Sequence, residues 1–230
     1  MKLTTLYPAY FPSMIWWQKA YAADVIVILD DKDYPRLGHL NRCWIKTVEG
    51  KIPLSVPVRS SKRDQRLIYQ QGIDLTKNWN RTHQASLMSN YQHAPYYEFY
   101  YPYIESFLTR PWKKLLQLNL VGLGLILERL RLEKKIQFHS TCSTSGDKEE
   151  RVIQLLTRFQ CNTYVIEDGY ETYFNGKFLI KNGYFLDEIK PNHSKYEQQN
   201  DEFIPGLSIL DALLNEGPYV IRLMNGKNVH

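Results

Sequence analysis

Cysteine is scarce in this 230-residue chain: Cys43, Cys142 and Cys161, an odd number, with no CxxC pair. That count argues against a disulfide framework or a cysteine-based zinc site and fits a reducing compartment, so a cytoplasmic location is expected. Long apolar runs are also missing. The richest stretch, Leu115 to Leu127, is broken by Gln117 and Asn119. It falls short of the roughly 20 residues a membrane span needs, and it reads as a buried helix. The N-terminal segment meets Pro8 and Pro12 without an apolar core, so no signal peptide is expected. No run of five or six like charges, internal repeat or low-complexity linker occurs. GxGxxG, Walker A, GxSxG and HExxH are absent, and no two histidines stand at helix spacing. Metal ligands are therefore not expected, and no particular cofactor is indicated.

What is present is a tyrosine-rich, mildly basic chain. It has 17 tyrosines, a formal net charge of +5 and ordinary hydrophobic (43%) and charged (23%) fractions, which suit one globular domain over 1–230. Tyrosines line polar grooves or build cores with wet edges. The basic balance favours an anionic or phosphate-bearing small molecule as partner. Nucleic acid is the weaker choice, because the basic loop 59–66 carries no stacking aromatics. Oligomeric state is left open.

Residues 3–7 read as a short strand stopped by Pro8, and Ser13 as the cap of a helix to about Ala22. Asp24 to Asp30 is a continuous β-branched run, the mark of a strand buried on both faces. Together they predict a β-α-β unit. A polar segment follows to Lys46, and the apolar stretch Lys51 to Val58, with two prolines, predicts an edge strand. Residues 78–135 read as helical: Arg81–Asn90, Ala94–Leu108 with Pro102 kinking or splitting it, and a helix opened by Pro111. A strand at Ile136–His139, a capping box from Asp147 to Glu150, an apolar i, i+3, i+4, i+7 stripe and a strand at Cys161–Ile166 make a second β-α-β unit. Tyr170–Leu186 is open between a hairpin turning at Asn175-Gly176 and a helix. A polar loop spans Pro191–Asp201. Ser208 with Asp211 predicts a capping box for a last helix ended by Gly217. The fold class is α/β: a largely parallel, Rossmann-like sheet flanked by helices, with a helical insertion around 78–135.

In open parallel sheets ligands sit outside the carboxyl ends of the strands. The loops at Tyr7–Pro12, Asp30–Arg42 and Ser140–Asp147 should meet there. The hydroxyl-rich loop containing Ser140, Thr141 and Ser143 precedes a helix and suits a phosphate or carboxylate, or simply caps that helix. Asp30 and Asp31 are neighbours on a strand and point to opposite faces, so they cannot act as one acid–base pair. Either can accept a substrate hydroxyl, or start a turn. Arg36, Asn41, Arg42 and Lys46 can hold an anion. Trp79, Arg81 and His83 open a predicted helix, and Tyr7 and Tyr10 offer rings. His83 and Asp30 are the candidate catalytic bases. His93 and Cys142 are weaker candidates.

Tyr7-Pro8-Ala9-Tyr10-Phe11-Pro12, Ala23 to Asp31, Asn41 to Thr47, Leu54 to Val58, Asn78 to His83 and Leu207 to Asp211 resemble, in order, the blocks of WbqC-like proteins. The chain departs from that pattern at Tyr7, where the family's opening block carries Gln, and at Ser13, where it carries Trp. Members occur in gene clusters for O-antigen and related surface glycans. The resemblance therefore implies an enzyme of bacterial surface-polysaccharide synthesis, and transfer of a small acyl or aminoacyl group to a sugar or nucleotide-sugar is the reaction it suggests. A tRNA-binding protein and a non-catalytic scaffold of a glycan assembly complex are the alternatives.

Overall fold

The computed structural model describes residues 1–35, 40–59, 67–190, 194–200 and 202–225. Strand β1 (Lys2–Leu6) leads through α1 (Met14–Ala22) to β2 (Val25–Ile28). An insertion follows, holding the hairpin β3 (Arg42–Thr47) and β4 (Gly50–Ser55) and helices α2 (Trp79–Tyr91), α3 (Tyr97–Leu108) and α4 (Leu115–Arg129). The chain then returns as β5 (Lys135–Phe138), α5 (Lys148–Arg158), β6 (Thr163–Glu167), α6 (Gly176–Lys181) and β7 (Phe185–Ile189), and ends in α7 (Ile209–Glu216) and α8 (Val220–Met224).

The main sheet has the order β5-β2-β1-β6-β7, and every pairing in it is parallel. Numbered by its own strands this is 3-2-1-4-5, a doubly wound order that reverses direction between β1 and β6. All four residues of β2 are buried, as its unbroken β-branched run predicts. Its side chains alternate between two cores. Val25 and Val27 join α5 and α6 on one face, while Ile26 and Ile28 join the insertion and α7 on the other.

Several local expectations change. The polar stretch after Asp31 contains β3, whose Cys43 and Ile45 are buried while Arg42 is exposed. It pairs with β4, so the expected edge strand belongs to a separate two-stranded sheet. Pro102 does not split α3, because six buried side chains hold the helix across the lost hydrogen bond. Pro111 does not start α4. Residues 113–115 run beside 71–73, with Ile73 N–H donating to Lys113 O and Leu115 N–H to Gln71 O, and the helix begins only at Leu115. The alternative at Tyr170–Leu186 resolves as helix. Asn175 caps α6 by accepting from Phe178 N–H, and β7 then pairs parallel to β6. Ser208 caps α7 through Leu210 N–H, but Asp211 makes no capping box; its buried carboxylate takes hydroxyls from Tyr91 (2.6 Å) and Tyr196 (2.6 Å). The final helix is α8, beyond Gly217.

Candidate functional site

At the reversal between β1 and β6 a cleft of about 610 Å³ opens. Thr5 and Leu6 of β1, Tyr164 and Ile166 of β6, Trp16 of α1 and Val152 of α5 form its floor and walls. This is where a doubly wound sheet leaves a crevice at its carboxyl edge, and the size suits a small-molecule ligand.

Two of the three expected loops are tied together at this edge. Asp30 and Asp31 leave β2 pointing apart, and each meets a different residue of the loop after β5. Asp30 accepts from Ser140 N–H (3.0 Å) and from Ser140 Oγ (2.6 Å). Asp31 Oδ2 lies 2.7 Å from His139 Nδ1. Burial would raise the Asp31 pKa, but the hydrogen bond and charge of His139 and the Lys32 ammonium outweigh it and hold the carboxyl below its ordinary value. On the other side of the ring, Thr144 Oγ1 sits 2.9 Å from Nε2. With Nδ1 turned to Asp31, Nε2 is the nitrogen left facing Thr144. His139 and Lys32 both line the cleft.

The cleft is cationic. Lys19, Lys32, Lys148 and Arg151 line it, with Glu167 as the lining carboxylate. Lys32 Nζ lies 3.4 Å from Asp31 Oδ1. Burial depresses the Lys19 pKa, opposed by the charge of Glu167. Lys148 and Arg151 form no ion pair among the described residues, and Arg151 Nε is buried without a hydrogen-bond partner among them. The acids of the first turn of α5 are engaged elsewhere. Asp147 and Glu150 cap the helix reciprocally, and Glu149 accepts from Asn175 N–H (2.6 Å).

Of the described candidates Tyr7 alone lines this cleft, 46% exposed, with its carbonyl accepting from Trp16 Nε1 (2.9 Å). Tyr10 Oη lies 2.9 Å from Nδ1 of His83, whose ring also hydrogen-bonds the backbone of Ser55 and packs edge-on to Trp79. Burial pushes the His83 pKa down to about 4, so this imidazole is neutral at pH 7. Lys46 is buried and donates from Nζ to the carbonyls of Asn200 (2.7 Å) and Glu202. Asn41 Nδ2 donates to Val56 O (2.8 Å). Arg42 and Arg81 are exposed, as are Ser140, Thr141 and Ser143. The Ser140 hydroxyl is turned to Asp30, and Thr141 Oγ1 bonds Phe138 O (2.8 Å). Arg36 lies outside the described residues. Sequence reasoning passed over His139, Lys32, Lys148 and Arg151. The signal was available: His139 directly follows β5 as Asp30 and Asp31 closely follow β2, and Lys148 and Arg151 share a face of α5 at i, i+3.

The molecule is thus an α/β protein with a cationic switch-point cleft and a carboxylate-held histidine at its edge. The chain belongs to the WbqC-like protein family, whose model matches residues 7–222. It is similar to the uncharacterised protein Rv1507c of Mycobacterium tuberculosis, at 25% identity over 225 residues, covering 94% of each chain. No solved structure matches it. Among the described residues no helix is long and apolar enough to cross a membrane, and no group of three His, Cys, Asp or Glu is arranged to hold a metal.

Proposed function

We propose that this protein is an enzyme of bacterial surface-polysaccharide biosynthesis that binds a phosphate-bearing small molecule in the switch-point cleft and transfers a small acyl or aminoacyl group to a sugar. The observation that carries this reading is the juxtaposition of His139, oriented by Asp31 at 2.7 Å, with Lys148 and Arg151, which no carboxylate pairs among the described residues, in one cleft. Membership of the WbqC-like family supports the choice of pathway. In the proposed step a sugar hydroxyl or amine attacks the acyl carbonyl while His139 Nε2 takes its proton. The new C–O or C–N bond forms as the bond to the leaving group breaks, and His139 returns the proton to that group. Lys148 and Arg151 hold the phosphate. Asp30, through Ser140, positions the loop that carries His139. His83 is a structural residue in this reading.

The test is complementation of a deletion strain with His139→Ala and Arg151→Ala, followed by mass spectrometry of the surface glycan. Loss of a substituent mass in both variants is expected. A glycan profile unchanged from wild type in both would remove the assignment.

A further inference from the structure

The cleft is lined by two chemically distinct kinds of group, which meet where Lys148 Nζ lies 3.5 Å from Tyr173 O, and together they specify a substrate class. At the start of α5, Lys148 and Arg151 are two positive charges that no carboxylate pairs among the described residues, whereas Lys32 faces Asp31 and Lys19 feels Glu167. Two uncompensated cations match a group carrying two negative charges. Arg151 brings a further sign of a missing acceptor, because its Nε is buried with no partner among the described residues. A buried donor of this kind costs stability until an acceptor arrives. The guanidinium fork and the ammonium together suit the adjacent oxygens of a diphosphate.

The second kind is aromatic. Tyr7, 46% exposed, and Tyr173, 51% exposed, both line the cleft, from the segments after β1 and β6 on either side of the reversal. Burial, together with the charges of Asp31 and Asp33, raises the Tyr7 pKa, so the ring is a neutral platform. Exposed tyrosine faces of this kind stack planar rings. A diphosphate alone would leave them unused, and a volume of about 610 Å³ leaves room for more than phosphate.

We infer that the cleft binds a nucleoside diphosphate group, with its diphosphate on Lys148 and Arg151 and its base against Tyr7 and Tyr173. This rests on the proposed use of the cleft and names what occupies it.

The test is titration calorimetry on the full chain with uridine, cytidine, thymidine, adenosine and guanosine diphosphates, and with inorganic pyrophosphate as the ring-free control. At least one nucleoside diphosphate should bind about tenfold more tightly than pyrophosphate. Tyr7→Ala should remove that advantage and leave pyrophosphate binding unchanged, whereas Arg151→Gln should weaken both about tenfold. Tyr7→Phe, which keeps the ring, should bind as wild type. Circular dichroism on each variant separates misfolding from lost contact. If no nucleoside diphosphate exceeds pyrophosphate, the nucleoside assignment is overturned, and the glycan phenotype of His139→Ala then judges the enzyme reading on its own. If neither pyrophosphate nor any diphosphate binds, the anion assignment falls as well.

Discussion

His83 and His139 are both buried, each with an oxygen neighbour, and they do different things because only His139 borders a cleft. His83 has Tyr10 and Ser55 as partners, and among the described residues no carboxylate stabilises a charge on it. Its folded pKa of about 4 lies below the ordinary 6.5, so its contribution to stability is fully present above pH 6.5 and is lost as the pH falls toward 4. At ~1.4 kcal/mol per pH unit the gap amounts to about 3 kcal/mol. Asp211 works in the opposite sense. Burial raises its pKa, so the folded state favours its protonated form, and stability from that group is lost as the pH rises through its pKa. The expected outcome is therefore read as a difference: unfolding free energy of wild type minus His83→Gln should fall by up to about 3 kcal/mol between pH 6.5 and 4. A flat difference curve would show that His83 titrates normally. At His139, Asp31→Asn keeps the size of the partner but removes its charge. Under the proposed chemistry it should lower glycan modification by at least tenfold while the fold, checked by circular dichroism, stays intact.

Among the elements, α7 and the turn after it show how tightly secondary structure is fixed by contact. Gly217 has φ +58°, and a Cβ built there would meet the Tyr96 ring at 2.4 Å. Gly217→Ala should cost about 2–4 kcal/mol, because the strained backbone and the clash with a packed ring add. By contrast Asp147→Ala removes one half of an exposed capping box and should cost about 1 kcal/mol. Chemical denaturation of the two variants gives both values, and the first should exceed the second. Asn119, the polar break in the apolar helix, donates to Pro8 O (3.0 Å) and Leu40 O (2.9 Å). It pins two loops to α4, so Asn119→Leu should destabilise by about 1–3 kcal/mol by orphaning the Pro8 carbonyl, while Leu40 O keeps the Tyr10 N–H (3.0 Å).

At the scale of the whole molecule, one core joins the sheet to the insertion. Leu6, Ile26 and Ile28 of the sheet share it with Ile45 of the hairpin, Leu87 of α2, Leu118 of α4 and Leu213 of α7. Segments distant in sequence close over it: Ser208 Oγ donates to Phe11 O (2.7 Å) and Tyr91 Oη to Asp211. With no apolar surface reserved for the insertion alone, calorimetric unfolding should show one transition. Two resolved transitions would mark the insertion as a separate folding unit.

The parallel sheet was legible from local pattern. The buried run of β2, the proline stop after β1 and the capping box of α5 each act over a few residues, and local sterics and hydrogen bonding determine them. The hairpin strand β3 was not legible, because Arg42 and Lys46 disguise a strand whose alternation is completed only by α7 and by the backbone carbonyls that hold Lys46. The site divided in the same way. That strand-end loops would meet at the sheet edge followed from the order of elements, and the Asp30–Ser140 and Asp31–His139 contacts bring two of them together. Which side chains face the cleft depended on the reversal between β1 and β6, a long-range pairing that no local pattern encodes. That pairing sends Tyr10, Lys46 and His83 into the interior and leaves His139, Lys148 and Arg151 around an open space. Sequence alone determined which segments are strands and which ends carry polar loops. Tertiary structure decided which of their charges are compensated, because contacts such as Asp31–His139 and Lys19–Glu167 join residues more than a hundred positions apart.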